Sequence, residues 1–114
     1  MQLEKKYYTV TDSETLNLMF KHIQDSDIIA VDTETSGLNP RKDKIVGWSI
    51  SGDEGIGFYL PTLVWDFEKN KLELQTIRGE SAEVISKNLI GLLKGKKLVF
   101  HNASFDCQFI KNYF

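Results

Sequence analysis

In the run IIAVDTET, Asp32 and Glu34 stand two residues apart inside an apolar, β-rich stretch. Side chains two apart on a strand share one face and are separated by about 6.6 Å along the chain. Both carboxylates therefore point the same way near the C-terminal end of that strand. Further on, KLVFHN reads as another strand, and Asp106 falls in the first turn of the helix that leaves it. If the two strands lie side by side, the three acids cluster. A helix N-terminus favours a carboxylate by only about 0.3–1 kcal/mol, which relieves little of their repulsion, whereas a cation among them removes it. Hard oxygen donors, without the thiolate and imidazole set of a zinc site, select Mg²⁺ or Mn²⁺. Two such ions roughly 3.5–4 Å apart suit an in-line displacement at phosphorus. The plainer reading makes Asp32 and Glu34 caps of a strand end and a turn, and Asp106 a helix-cap charge. It serves for any one of the three better than for all of them together.

The elements that must position these acids follow from periodicity. YYTV is a short apolar stretch. Thr11 and Glu14 fit a capping box, and Leu16, Met19, Phe20 and Ile23 follow at helical spacing. IIAVDTET reads as a strand buried on both faces at its start, KIVGWSIS as a second, and IGFYLP, ended by Pro61, as a third. In LVWDFEKNKLELQTIRGE, Trp65, Phe67, Leu72 and Leu74 alternate with polar residues, which suits a small hairpin in a variable connection. Ser81 caps a second helix whose apolar stripe is Val84, Ile85, Leu89, Leu92 and Leu93, with Gly95 as its stop. KLVFHN is the fourth strand, and ASFDCQFIKNYF reads as a third helix with Phe105, Phe109, Ile110 and Tyr113 inward. Three hairpin-linked strands and then a helical crossover predict an α/β mixed sheet with flanking helices, the fourth strand parallel to the first and beside it.

The 114 residues, 1–114, amount to at most one domain, with 41% hydrophobic and 26% charged residues, both ordinary for a globular core. No apolar run approaches the roughly 20 residues that span a bilayer, and MQLEKKYYTV has no apolar signal core. A lone Cys107 excludes an intrachain disulfide and fits a reducing compartment. The formal net charge of −2 argues weakly against simple backbone binding of nucleic acid, but not against an enzyme whose metals meet the phosphate.

Taken in order, VDTETSGL, IVGWSIS, GFYLP and HNASFD resemble the 3′→5′ exonuclease domains of the DEDD superfamily, most nearly the proofreading domain of family A (Pol I-like, including phage) DNA polymerases. A D-x-E pair alone is a weak signal; the four stretches at this spacing are a strong one, and they cover nearly the whole chain. The resemblance implies a ribonuclease H-like fold and two Mg²⁺ or Mn²⁺ ions. It also implies hydrolysis of the terminal phosphodiester at a single-stranded DNA 3′ end, and a cytoplasmic setting in a bacterial or phage-infected cell. By position it makes Asp32 the bridging ligand, Glu34 a ligand of the first metal close to the terminal 3′-hydroxyl, and Asp106 a ligand of the second metal. Thr35 then meets the 3′ end through its backbone. Leu38 wedges against the terminal bases, and Asn102 lies near the scissile nucleotide. Phe105 fills a site that is aromatic in relatives, although core packing explains it equally well. His101 reads as a strand-end polar residue, His22 as exposed, Cys107 as a packed thiol, and the KGKK run from Lys94 to Lys97 as a solvated turn. Arg41 and Lys42 are better placed than that run to meet a phosphate.

The resemblance also implies a third motif, Y-x-x-x-D or H-x-x-x-D, on a later helix. Tyr113 has no Asp after it. The fold is accordingly predicted to be incomplete at its C-terminus, with apolar surface uncovered on the second and third helices and one sheet edge open. The missing groups would come from a downstream segment or a separate chain. The competing reading is a non-catalytic nucleic-acid-binding or protein-interaction module that keeps the fold, and a further one is a pair of copies sharing an acid. Retention of three clustered carboxylates favours the nuclease.

Overall fold

The computed structural model describes residues 6–37, 39, 41, 43, 45–53 and 55–100. In chain order these form β1 (Lys6–Thr9), α1 (Ser13–Gln24), β2 (Ile28–Thr35), β3 (Ile45–Asp53), β4 (Ile56–Pro61), β5 (Leu63–Asp66), β6 (Lys71–Leu74), β7 (Thr76–Ile77), β8 (Glu80–Ser81), α2 (Ala82–Leu93) and β9 (Lys97–Phe100). Five strands make one mixed sheet in the order β1-β4-β3-β2-β9. Short connections make β2, β3 and β4 antiparallel, and the crossover through α2 sets β9 parallel to β2, with Val31 beside Phe100. That is the mixed sheet read from the sequence. Strand β1 was not foreseen. Four residues are too few to show a period, and its parallel pairing with β4, Tyr7 beside Gly57, joins segments far apart in sequence.

Alternation along β2 divides the molecule. Ile29, Val31 and Thr33 are buried, whereas Ile28, Ala30 and Glu34 are exposed and Asp32 is half-buried. The strand is therefore buried on one face only, not on both at its start. Val31 lies across from Ile50 and Thr33 from Trp48, and Phe58 and Leu60 continue the same face on β4. Helix α1 covers this face with Leu16, Met19 and Ile23, and α2 with Ile85, Leu89, Ile90 and Leu93. Each such side chain contributes about 1.5–3 kcal/mol by leaving water. Val84, assigned to the α2 stripe from sequence, is 46% exposed. At 3.6 residues per turn the stripe is centred on Ala82, Ser86, Leu89 and Leu93, which puts Val84 on the far side.

One buried polar contact ties the layers together. The Trp48 indole Nε1–H donates to Ser86 Oγ at 3.1 Å, and both residues are fully buried. The buried Gln75 carboxamide donates to the carbonyls of Val10 and Pro61, joining the ends of β1 and β4 near the start of α2. Leu63 beside Leu74 and Trp65 beside Leu72 confirm the small hairpin β5–β6, which projects with Trp65, Phe67 and Leu72 exposed. Arg78 and Gly79, both at positive φ, turn β7 into β8 in two residues.

The helix ends differ in detail from the sequence reading. The N-cap of α1 is Asp12, not Thr11: its carboxylate accepts from Thr15 N–H at 2.8 Å, and Thr15 Oγ1 accepts from Asp12 N–H at 3.4 Å. The capping box thus sits one residue later, where a charged acceptor makes the stronger bond. Ser81 caps α2 as predicted. Helix α2 ends at Lys94 before Gly95, which does not take a left-handed conformation. Lys96 in the KGKK run is more than a solvated cation: its Nζ donates to the Gln24 carbonyl at the C-terminal end of α1. The large apolar side chains exposed among the described residues include Val84 on α2 and Leu18 on α1, but most lie on the sheet, as Tyr7, Tyr59 and Val99, and on the hairpin, as Trp65, Phe67 and Leu72. No described helix is long and apolar enough to cross a membrane. The third helix, read over residues 103–114, lies outside the described residues.

Two outcomes follow. Ser86→Ala removes the acceptor of the buried indole N–H and is expected to cost about 1–3 kcal/mol, read as a lower urea midpoint at unchanged slope. The Thr15 backbone N–H, and then its side chain, hold the Asp12 carboxyl below its ordinary value of 3.8. A carboxyl lowered in the folded state contributes fully above that ordinary value and loses its contribution as pH falls through the lower folded one. The stability gap between wild type and Asp12→Ala in urea melts should be constant near neutrality and narrow below pH 3.8.

Candidate functional site

The site is built on the sheet face that α1 and α2 do not cover. Across it, Asp32 lies beside Ser49, and Ser49 beside Tyr59; one row further along, Glu34 lies beside Gly47. Because β2 alternates, burying Val31 and Thr33 forces Asp32 and Glu34 onto this opposite face. A cleft of about 640 Å³ runs over the face, with Tyr7, Ala30, Asp32, Ser49, Tyr59 and Val99 among its walls. Small residues at Ala30, Ser49 and Gly57 keep its floor low.

Among the described residues, no hydrogen bond or ion pair engages the carboxylate of Asp32 or Glu34; the only ion pairs are those of Glu73 with Lys69 and Lys71. Two charges about 6.6 Å apart repel by roughly 0.6 kcal/mol in water and about 2.5 kcal/mol at an effective dielectric near 20. The fold tolerates that pair without a cation, and the cost grows with each further acid. Among the described residues no three His, Cys, Asp or Glu side chains come together. Of the three predicted ligands, Asp32 and Glu34 share one face, and Asp106 lies outside the described residues, as do Leu38, Asn102 and Phe105. The described part of β9 ends at Phe100, paired with Val31 and so next to Asp32's position. His101, which opens HNASFD, is the next residue in sequence.

The end of β2 is shaped by a bulge. Glu34 pairs with Gly47 but Thr35 with Ile45, so Val46 is passed over. The buried Thr62 holds this distortion: its N–H donates to the Val46 carbonyl and its Oγ1 to the Ile45 carbonyl, both at 2.9 Å. A bulge bends its strand and re-aims the neighbouring side chains, here beside the acids. Thr35, the predicted 3′-end contact, donates through Oγ1 to the Gly37 carbonyl at 2.8 Å and turns the chain out of the strand. The Asp43 carboxylate then organises the following loop. It accepts from Ser36 Oγ at 3.1 Å and from Asn39 N–H at 3.0 Å, and it packs so closely on Gly37 that a Cβ there would collide with it. Arg41 is exposed, its N–H bonded to Asn39 Oδ1.

Sequence reasoning missed Tyr59 and Ser49, which share the carboxylate face; their place was implicit in the alternation of KIVGWSIS and IGFYLP. It also misjudged His22. That ring is half-buried: Nε2 accepts from Gly52 N–H at 2.9 Å, and the ring packs 5.3 Å from Phe58.

Such a face, with paired acids on an inner strand of a mixed sheet, is the framework of a ribonuclease H-like nuclease. The sequence pattern of the 3′–5′ exonuclease family matches residues 7–114. The chain belongs to that family, in the form found in DNA polymerase I enzymes. It is 29% identical over 107 residues to DNA polymerase I of Borreliella burgdorferi, covering 94% of this chain and 11% of that protein. With DNA polymerase I of Treponema pallidum it shares 32% over 78 residues, covering 68% of this chain and 8% of that protein. The chain thus spans about a tenth of the polymerases it matches. Among solved structures it resembles the Aedes aegypti Nibbler EXO domain, with a TM-score of 0.63 at 10% identity over all of this chain and 47% of that one. It also resembles Brucella melitensis NrnC bound to pGG, with a TM-score of 0.56 at 23% identity over 99% of this chain and 45% of that one. At these identities the likeness concerns the ribonuclease H-like fold.

Removing the Asp43 carboxylate should loosen the loop and spare the strand. A hydrogen bond to a charged group contributes about 1.5–3 kcal/mol. In Asp43→Ala, amide exchange at Asn39 is therefore expected to accelerate about tenfold or more, while the β2 amides keep their protection.

Proposed function

We propose that this chain forms part of a divalent-metal-dependent 3′→5′ exonuclease that hydrolyses the terminal phosphodiester of single-stranded DNA. The observation that carries the reading is the pair Asp32 and Glu34, on the sheet face opposite α1 and α2, with no cationic partner among the described residues. Their donor set fits the metal: exposed and half-buried carboxylate oxygens suit a hard cation that keeps part of its water shell. A solved NrnC structure with bound Mg²⁺ shares the fold, with a TM-score of 0.51 at 24% identity. Asp32 and Glu34 would hold the ions together with Asp106 from HNASFD. Bound there, the ions would activate water and neutralise charge developing on the phosphate.

The chain's own residues have separate tasks. Glu34, further out along β2, accepts a hydrogen bond from the terminal 3′-hydroxyl. Thr35 presents its backbone to the same nucleotide from the turn fixed by its bond to the Gly37 carbonyl. Leu38, next to Gly37 in sequence, wedges against the last bases, and Asn102 and Phe105 contact the scissile nucleotide. The water-orienting Tyr or His and the fourth carboxylate come from a downstream segment or a separate chain. The enzyme works in the cytoplasm, on frayed primer ends. The polymerase kinship supports DNA over RNA as substrate.

The test is digestion of a 5′-labelled single-stranded DNA oligonucleotide with Mg²⁺ or Mn²⁺, beside calorimetric Mn²⁺ titration. The expected result is measurable Mn²⁺ binding by the chain and, once the segment or chain that supplies the third motif is added, a ladder shortening from the 3′ end. Asp32→Ala should abolish the binding and cut cleavage by about 10²–10³-fold or more. Cleavage indifferent to Asp32→Ala, or neither cleavage nor Mn²⁺ uptake by the wild type, would contradict the proposal.

A further inference from the structure

Tyr59 stands across from Ser49, in the row of Asp32. Its ring does not stay in that row. It leans diagonally over β3 and lies on Gly47: a Cβ at Gly47 would fall within 2.7 Å of ring atoms Cε2 and Cζ, and closer still to the hydroxyl oxygen. Diagonal neighbours on a sheet are within reach of aromatic side chains, and only glycine leaves room for this one. Gly47 is the cross-strand partner of Glu34. Directly opposed residues have Cβ positions about 4.5–5.5 Å apart, a gap that a glutamate side chain spans. The phenolic oxygen therefore ends over Gly47, within reach of the Glu34 side chain, on the same face and next to the bulge that ends β2. Neither the Tyr59 hydroxyl nor the Glu34 carboxylate has a hydrogen-bond partner among the described residues, and at 37% exposure the ring is largely settled on the sheet.

We propose that Tyr59 is a positioning residue of the site: after a rotation of the exposed Glu34 side chain, its phenolic O–H donates to the Glu34 carboxylate and fixes that carboxylate's direction on the sheet face. The inference rests on the reading of Asp32 and Glu34 as metal ligands. A ligating carboxylate is itself usually hydrogen-bonded, and removing such an outer partner commonly costs about 10–100-fold in metal affinity or activity. The alternative is a tyrosine that only shields the sheet. The same sheet supplies the control, because the Tyr7 ring lies over its direct partner Gly57 at the far edge, three strands away from Glu34.

The experiment compares wild type, Tyr59→Phe and Tyr7→Phe by two readouts: the Glu34 carboxyl ¹³C resonance in metal-free protein, and Mn²⁺ affinity by calorimetry. Tyr59→Phe keeps the ring and loses the hydroxyl. It is expected to move the Glu34 resonance and weaken Mn²⁺ binding about tenfold or more with an unchanged melting temperature, while Tyr7→Phe does neither. Gly47→Ala, which unseats the ring, should reproduce the shift of the Glu34 resonance. If the Glu34 resonance and Mn²⁺ affinity of Tyr59→Phe match those of the wild type, the proposal is overturned. If the wild type takes up no Mn²⁺, the metal-site reading fails, and the metal-free resonance still decides whether Tyr59 holds Glu34.

Discussion

The two-residue period of β2 is the constraint on which the rest depends. Ile29, Val31 and Thr33 face the helices, and Ala30, Asp32 and Glu34 face away from them. A slip of one residue would exchange the faces. It would expose Ile29 and Val31, at about 1.5–3 kcal/mol each, and bury two carboxylates with no counter-charge, which costs more. The apolar side chains thus hold the acids in place without touching them. Core packing and chemistry are opposite faces of one strand, and neither can move without the other.

The neighbouring strands turn that period into a site. Strand β3 supplies the Val31–Ile50 and Thr33–Trp48 pairs that lock the register, and Trp48 is in turn bound to Ser86 on α2. Just after β4 comes Thr62, whose N–H and hydroxyl occupy the two carbonyls loosened by the bulge. That bulge separates the regular part of β2 from the Thr35 turn and the Asp43-centred loop. Strand β9 runs parallel to β2, and its described part ends at Phe100 beside Val31, the residue before Asp32; HNASFD follows in sequence. Glycine and serine on the carboxylate face leave the space in which Tyr59 can lean on Gly47.

Much of this was legible in the sequence because it depends on local period. The Asp32–Glu34 pair, the three antiparallel strands, the parallel return of KLVF and the Ser81 cap all follow from spacings of two, or of three to four, residues. What was not legible depends on contacts far apart in the chain. Strand β1 is defined by β4 and not by its own four residues. The burial of His22 depends on Gly52, some thirty residues away. Lys96 looked like part of a solvated run until the end of α1 was seen beside it. Asp12 displaced Thr11 as the cap because neighbouring capping residues compete, and a one-residue shift is invisible to pattern alone. Tyr59 lay in plain alternation, but its approach to Glu34 required the diagonal lean over Gly47, which no single-strand pattern records.

The central claim is that the carboxylate face of β2 receives the divalent ions. The most direct test is paramagnetic broadening by Mn²⁺ added at well below one equivalent to isotopically labelled chain, followed residue by residue. The account predicts that the amides of Asp32, Glu34, Gly47 and Ser49 broaden first, with Ile85 and Leu89 of α2 unaffected. Broadening confined to the acidic hairpin, around Asp66, Glu68 and Glu73, with β2 untouched, would contradict it.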